Sequence, residues 1–96
     1  MGKDDIISSL KKYKEVKGRQ YPIKRIGIFG SVARGDIKIK NDLDIVVELA
    51  KQDLFDIIGI KHDLEEEFHC SVDIVSYRET MNQFLKSRID SEAIYA

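Results

Sequence analysis

Gly30-Ser31-Val32-Ala33-Arg34-Gly35, followed after a short interval by Asp42-Leu43-Asp44, holds the residues of this chain best suited to chemistry. A Gly-Ser turn after the apolar run Ile26–Phe29 lets backbone N–H groups close on an anion where a short helix begins, and the helix dipole favours negative charge there. Gly30 and Ser31 therefore read as a phosphate seat. Asp42 and Asp44 stand at i and i+2 on the next predicted strand, so both carboxylates leave the same face. Like charges that close repel, and a divalent cation neutralises them. A phosphate seat beside a metal-binding carboxylate pair is equipment for phosphoryl or nucleotidyl transfer.

A third acid follows in Val72-Asp73-Ile74-Val75, where alternation puts Asp73 on the face opposite Ile74. If the two strands are neighbours, Asp73 joins Asp42 and Asp44. Taken alone, Asp73 has an ordinary reading, because acids alternate on any strand with one wet face. Other phosphate motifs are excluded by the residues present: no Gly-x4-Gly-Lys-Ser/Thr occurs, and Gly27, Gly30 and Gly35 lack dinucleotide-binding spacing. His62 and His69, seven apart on a predicted helix, share a face but sit roughly 10 Å apart, too far to chelate one ion. Cys70 reads as a small buried residue.

These residues need elements to position them. The apolar spacing of Ile6, Ile7, Leu10, Tyr13 and Val16 predicts a first helix over 6–17, capped by Asp4 or Asp5 and ended by Gly18. Pro22 introduces a strand over 23–29. Val32-Ala33-Arg34 forms one helical turn closed by Gly35, and residues 37–41 read as an exposed loop. A β-branched strand spans 42–49. Asp53 caps the next helix, whose apolar positions are Leu54, Ile57, Ile58, Ile60, Leu64 and Phe68. A third strand covers 72–77, making strand, helix, strand a right-handed parallel crossover. Thr80 caps a last helix through Arg88, and an apolar tail with Ile89, Ala93, Ile94 and Tyr95 is free to meet a partner. The fold class is α+β, a small mixed sheet flanked by helices.

The 96 residues fit one small domain, 1–96, with no room for a second core. The apolar fraction of 43% with 34% charged residues is that of a soluble globular chain, and no apolar run approaches the ~18 residues of a membrane span. The lone cysteine and the acidic start favour the cytoplasm. Net charge is −1, split as +7 over residues 1–40 and −8 over 41–96, which steers polyphosphates or acidic partners toward the first half unless the two halves are merely solvated faces. Direct nucleic-acid binding is not expected, since the chain lacks a strong positive balance with interleaved aromatics.

The stretch GIFGSVARGDIKIKNDLDIVVE, Gly27 to Glu48, resembles the signature of the DNA polymerase β nucleotidyltransferase superfamily: apolar strand, Gly-Ser, a spacer of positions 32–41, then Asp-x-Asp among apolar residues. Short length, the Gly-Ser-x-x-Arg-Gly variant, the late Asp73 and the Glu-Ala-Ile-Tyr ending are similar to the minimal nucleotidyltransferase family. The resemblance implies a polymerase β-like fold, with Gly30 and Ser31 holding a triphosphate. It further implies that Asp42, Asp44 and Asp73 ligate two Mg²⁺ and that Asp73 is able to take the proton of the attacking hydroxyl. Arg34 would brace the turn or touch phosphate. Asn41, where many members have Ser, is a small departure. The implied reaction is transfer of AMP from ATP to a protein hydroxyl, a tyrosine of a partner HEPN ribonuclease toxin in a hetero-oligomer, so that the chain acts as an antitoxin. Two rivals are a masking antitoxin without catalysis and a transferase for small molecules, the latter disfavoured because no residues remain for a substrate-binding domain.

Overall fold

The computed structural model describes residues 2–35 and 42–96. The loop expected over 37–41 lies outside them. Helix α1 runs Lys3–Lys17, strand β1 Ile23–Ile28, the single turn α2 Gly30–Ala33, β2 Leu43–Leu49, α3 Leu54–Phe68, β3 Val72–Ser76, α4 Gln83–Glu92 and β4 Ile94–Tyr95. The four strands form one mixed sheet in the order β3-β2-β1-β4, with β2 and β3 parallel and the other pairs antiparallel. No described helix is long and apolar enough to cross a membrane.

Alternation along β2 divides the fold into two layers. Leu43, Ile45, Val47 and Leu49 face a large core built with Ile6, Leu10, Ile60, Leu64 and Phe68 of α1 and α3, together with Ile26, Ile28 and Val72. On the opposite face Val46 packs with Phe29, Tyr77, Met81 and Ile89 under α4. Burying these side chains is the main source of stability, roughly 1.5–3 kcal/mol for each fully covered Leu, Ile or Phe. Because β2 is central, it is apolar on both faces except where Asp44 and Glu48 interrupt the α4 side.

Several local expectations hold and several shift. Asp53 caps α3, its side chain accepting the Phe55 N–H at 2.8 Å. Gly2, not Asp4 or Asp5, occupies the cap of α1, and Asp5 instead reaches back to accept the Gly2 N–H at 3.1 Å. Asn82 caps α4 through Leu85 N–H at 3.0 Å, displacing Thr80, because Met81 is drawn into the second core before the helix can start. His69 ends α3 in a left-handed conformation, φ +53°, so the two histidines do not share a helix. On α3 the stripe Ile60, Leu64, Phe68 takes the buried side. Leu54 and Ile58 of the expected apolar face are left exposed, as is their neighbour Phe55, at 83%.

The C-terminal tail differs most. Ile89 is fully buried inside α4, and Ile94–Tyr95 add a strand to β1, with Gly27 opposite Tyr95 and Ile28 opposite Ile94. Gly27 makes that pairing possible, since a methyl group on it would stand 2.9 Å from Tyr95 Cα. Ile89 is thus taken into the core, while Ala93, Ile94 and Tyr95 stay half-buried, Ile94 and Tyr95 on the edge strand of the chain's own sheet.

A hydrogen bond ties the two helices of the large core. Tyr13 donates its hydroxyl to Asp63 Oδ2 at 2.7 Å, and burial together with Asp63 holds the phenol well above its ordinary ionisation range. Above pH about 10 an unfolded chain loses that proton while the folded one keeps it, so stability falls as pH rises. Tyr13→Phe is expected to cost about 1 kcal/mol at neutral pH and to flatten the loss of stability above pH ~10 in denaturant titrations. An equally steep alkaline decline in the variant would place its origin elsewhere.

Candidate active site

Topology alone collects the candidate residues. β1 and β2 are antiparallel, so the turn after β1 lies beside the start of β2, and Phe29 donates its N–H to the Asp44 carbonyl at 3.1 Å. β3 runs parallel to β2 with Asp44 paired to Asp73 and Leu43 to Val72. Gly30, Ser31, Asp42, Asp44 and Asp73 therefore stand at one end of the sheet. Side-chain alternation puts Asp44 and Asp73 together on the α4 face, opposite Ile45 and Ile74.

The electrostatics follow from that placement. Asp44 is half-buried, whereas Asp42 and Asp73 are exposed. Burial, reinforced by the charges of Asp73 and Asp42, raises the Asp44 carboxyl above the usual range, while Arg88 and Arg34 pull it back down. Among the described residues no three His, Cys, Asp or Glu side chains meet closely enough to hold an ion as they stand. The three carboxylates lie instead along one face within Coulomb reach of each other. Their oxygens are hard donors that suit Mg²⁺, and a divalent cation would relieve the repulsion recorded at Asp44.

Gly30 is constrained by Asp44 itself. Its φ is +76°, and a Cβ built on it would overlap Asp44 Oδ2. A side chain at position 30 thus collides first with a carboxylate rather than with a bound phosphate. The four-residue helix α2 begins at Gly30, and Ser31 is half-buried. Arg34 follows as the cap, its backbone N–H donating to Gly30 O at 3.1 Å.

One functional-face residue escapes the sequence reading. Glu92 Oε1 accepts the Gly30 N–H at 3.0 Å and an Arg34 Nη1–H at 3.2 Å, with Arg88 Nε at 3.6 Å. Arg34 therefore braces the turn through Glu92. The i,i+4 spacing of Arg88 and Glu92 is a legible sequence signal, but their arrival beside Gly30 depends on how α4 docks.

A fold with a Gly-Ser turn and three acids at one sheet end is that of a nucleotidyltransferase. Residues 5–96 match the family model described as "Polymerase beta, Nucleotidyltransferase". The chain belongs to that family, and its relatives place it with the minimal, protein adenylyltransferase type. A Methanocaldococcus jannaschii protein named "Putative protein adenylyltransferase" is 38% identical over 76 residues, covering 78% of this chain and 81% of the relative. The protein adenylyltransferase MntA of Thermococcus cleftensis is 32% identical over 87 residues, 90% of this chain and 83% of MntA. The solved "Structure of putative minimal nucleotidyltransferase" superposes with a TM-score of 0.77 at 29% identity, over 98% of this chain and 95% of that one. A chain of the complex of tri-AMPylated Shewanella oneidensis HEPN toxin with MNT antitoxin has the same fold, TM-score 0.63 at 22% identity, over 91% and 69% of the two chains.

The collision at position 30 yields a test. Gly30→Ala is expected to destabilise the fold by about 1–2 kcal/mol through left-handed strain and displacement of Asp44. Asp44→Ala removes the obstructing carboxylate, so in that background the cost should shrink by at least ~0.5 kcal/mol in a double-mutant cycle. Strict additivity in chemical denaturation would show that the two positions do not press on each other.

Proposed function

We propose that this chain transfers AMP from ATP to a hydroxyl of a partner protein, a tyrosine of a HEPN ribonuclease toxin, and silences that toxin as its antitoxin. The observation that carries the reading is the register of β2 and β3, which sets Asp44 beside Asp73 at the sheet end where the Gly30-Ser31 turn begins α2. The names of the relatives and the composition of the HEPN complex support the protein acceptor.

In this reading the turn at Gly30 and Ser31 seats the triphosphate beside the Gly30 N–H that Glu92 holds, and Arg34 adds positive charge at its edge. Asp42, Asp44 and Asp73 would hold two Mg²⁺, which when bound supply charge neutralisation to the attacking and leaving oxygens. The acceptor oxygen forms a bond to the α-phosphorus in line with the bond to pyrophosphate, which breaks. Asp73, exposed on the edge strand β3, takes the proton of the acceptor hydroxyl. Pyrophosphate leaves, and the phosphodiester on the toxin persists after the proteins part.

Masking without catalysis is the rival reading, and the exposed Phe55 and Phe84, at 83% and 90%, are the observation in its favour. Catalytic silencing predicts that trace protein with ATP and Mg²⁺ inactivates a molar excess of the cognate toxin, and that separated toxin keeps a mass increase of one or more AMP groups. Asp44→Asn should lower transfer by orders of magnitude while its melting temperature stays level or rises, because the carboxylate repulsion is gone. Intact mass spectrometry after incubation with each protein decides between them. Inhibition that is stoichiometric, indifferent to ATP and preserved in Asp44→Asn, with no mass change, would establish masking.

A further inference from the structure

Arg88 lies on the margin of the buried face of α4, one residue before the buried Ile89. Its guanidinium carbon stands 5.4 Å from the ring centre of Phe29, the residue before the Gly30 turn, and its charge bears on Asp44. Its Nε is 3.6 Å from Glu92 Oε1, the same oxygen that Arg34 reaches at 3.2 Å. Two guanidiniums therefore share one carboxylate. Arg34, Arg88 and Glu92 together carry one net positive charge beside the Gly30 turn, on the side of Asp44. Both arginine side chains remain about half exposed, at 54% and 47%, so their remaining N–H donors are open to a ligand.

A guanidinium paired to a single shared oxygen retains donors in a planar fork suited to phosphate oxygens. The Phe29 ring restrains the plane of Arg88, and Glu92 limits its reach, so part of the ordering entropy is met before a ligand arrives. The shared bond to Gly30 N–H fixes this pair to the turn. The apolar packing of α4 is made by Ile89 and the partly buried Leu85, on residues other than the two arginines.

We infer that Arg88 is a second polyphosphate-binding cation of this enzyme, held with Arg34 by Glu92 so that both guanidiniums meet the phosphate chain of the nucleoside triphosphate. The inference rests on the proposed transfer from ATP. Glu92 is then a positioning residue, acting through the two arginines and the Gly30 amide.

The test measures binding separately from turnover, by calorimetric titration of the full chain with inorganic tripolyphosphate and with Mg·ATP. Arg88→Ala should weaken both ligands about tenfold or more, raise KM for ATP more than it lowers kcat, and leave the melting temperature close to that of the wild type. Arg88→Lys, which keeps charge but loses the fork, should recover part of the affinity. A structural role is separated by the background of Glu92→Ala. If Arg88 only partners Glu92, adding Arg88→Ala there changes nothing; if it touches phosphate, the affinity falls again. Wild-type binding with unchanged affinity in Arg88→Ala, or no further loss in the Glu92→Ala background, would overturn the inference while leaving the transfer reading intact. Absence of binding by the wild type to either ligand would overturn both.

Discussion

The two-residue alternation of β2 governs everything else in this small protein. Leu43, Ile45, Val47 and Leu49 go to the large core, which obliges Asp44, Val46 and Glu48 to face the other way. A one-residue slip would bury Asp44 among α1 and α3 and expose Ile45. The register is thus enforced by hydrophobic burial, and the placement of the acid follows from it. The parallel pairing of β3 carries the same constraint one strand further, since Val72 and Ile74 seek the large core and leave Asp73 level with Asp44. Repulsion between the two carboxylates is tolerated because the apolar residues on either side hold them there.

The second face is thinner. Among the described residues α4 is the helix that covers it, with Ile89, Met81, Tyr77 and Phe29 in the packing, and Asp42 and Asp73 stay exposed at the sheet end while Asp44 is half-buried. That incomplete cover separates a structural sheet from one able to admit a ligand. β4 contributes to the same arrangement by an indirect route: Ala96 donates its N–H to Ile26 O at 2.9 Å and Ile94 and Tyr95 pair with β1. This closure pins the C-terminal end of α4 against the sheet, and it is the reason that Glu92, the last residue of the helix, reaches Gly30.

Much of this was readable from residue order, and the parts that were not share a cause. Hydrophobic alternation and crossover handedness are local rules, so the strands bearing Asp44 and Asp73, their parallel pairing and the Asp53 cap are legible. The cap of α4 is legible only in part: Asn82 is a better cap type than Thr80, and the burial of Met81 settles the start of the helix there. Tail residues Ile94 and Tyr95 look like an apolar surface in sequence; pairing with β1 depends on Gly27, whose missing side chain signals a close approach without saying of what. Leu54 and Ile58 fit a helical apolar face but stay exposed, since the buried stripe Ile60, Leu64 and Phe68 already satisfies α3.

Glu92 illustrates the same limit at the site itself. An acid at the end of a helix is unfavourable to the helix dipole, so its presence there calls for a compensating contact, and sequence alone cannot name one. Gly30 supplies a backbone N–H, while Arg34 and Arg88 supply charge from two different elements. The unfavourable position is therefore offset by groups around the Gly30 turn. The carboxylate links the docking of α4 to the shape of the Gly30 turn, so the helix that closes the second core also sets the charge at the mouth of the site.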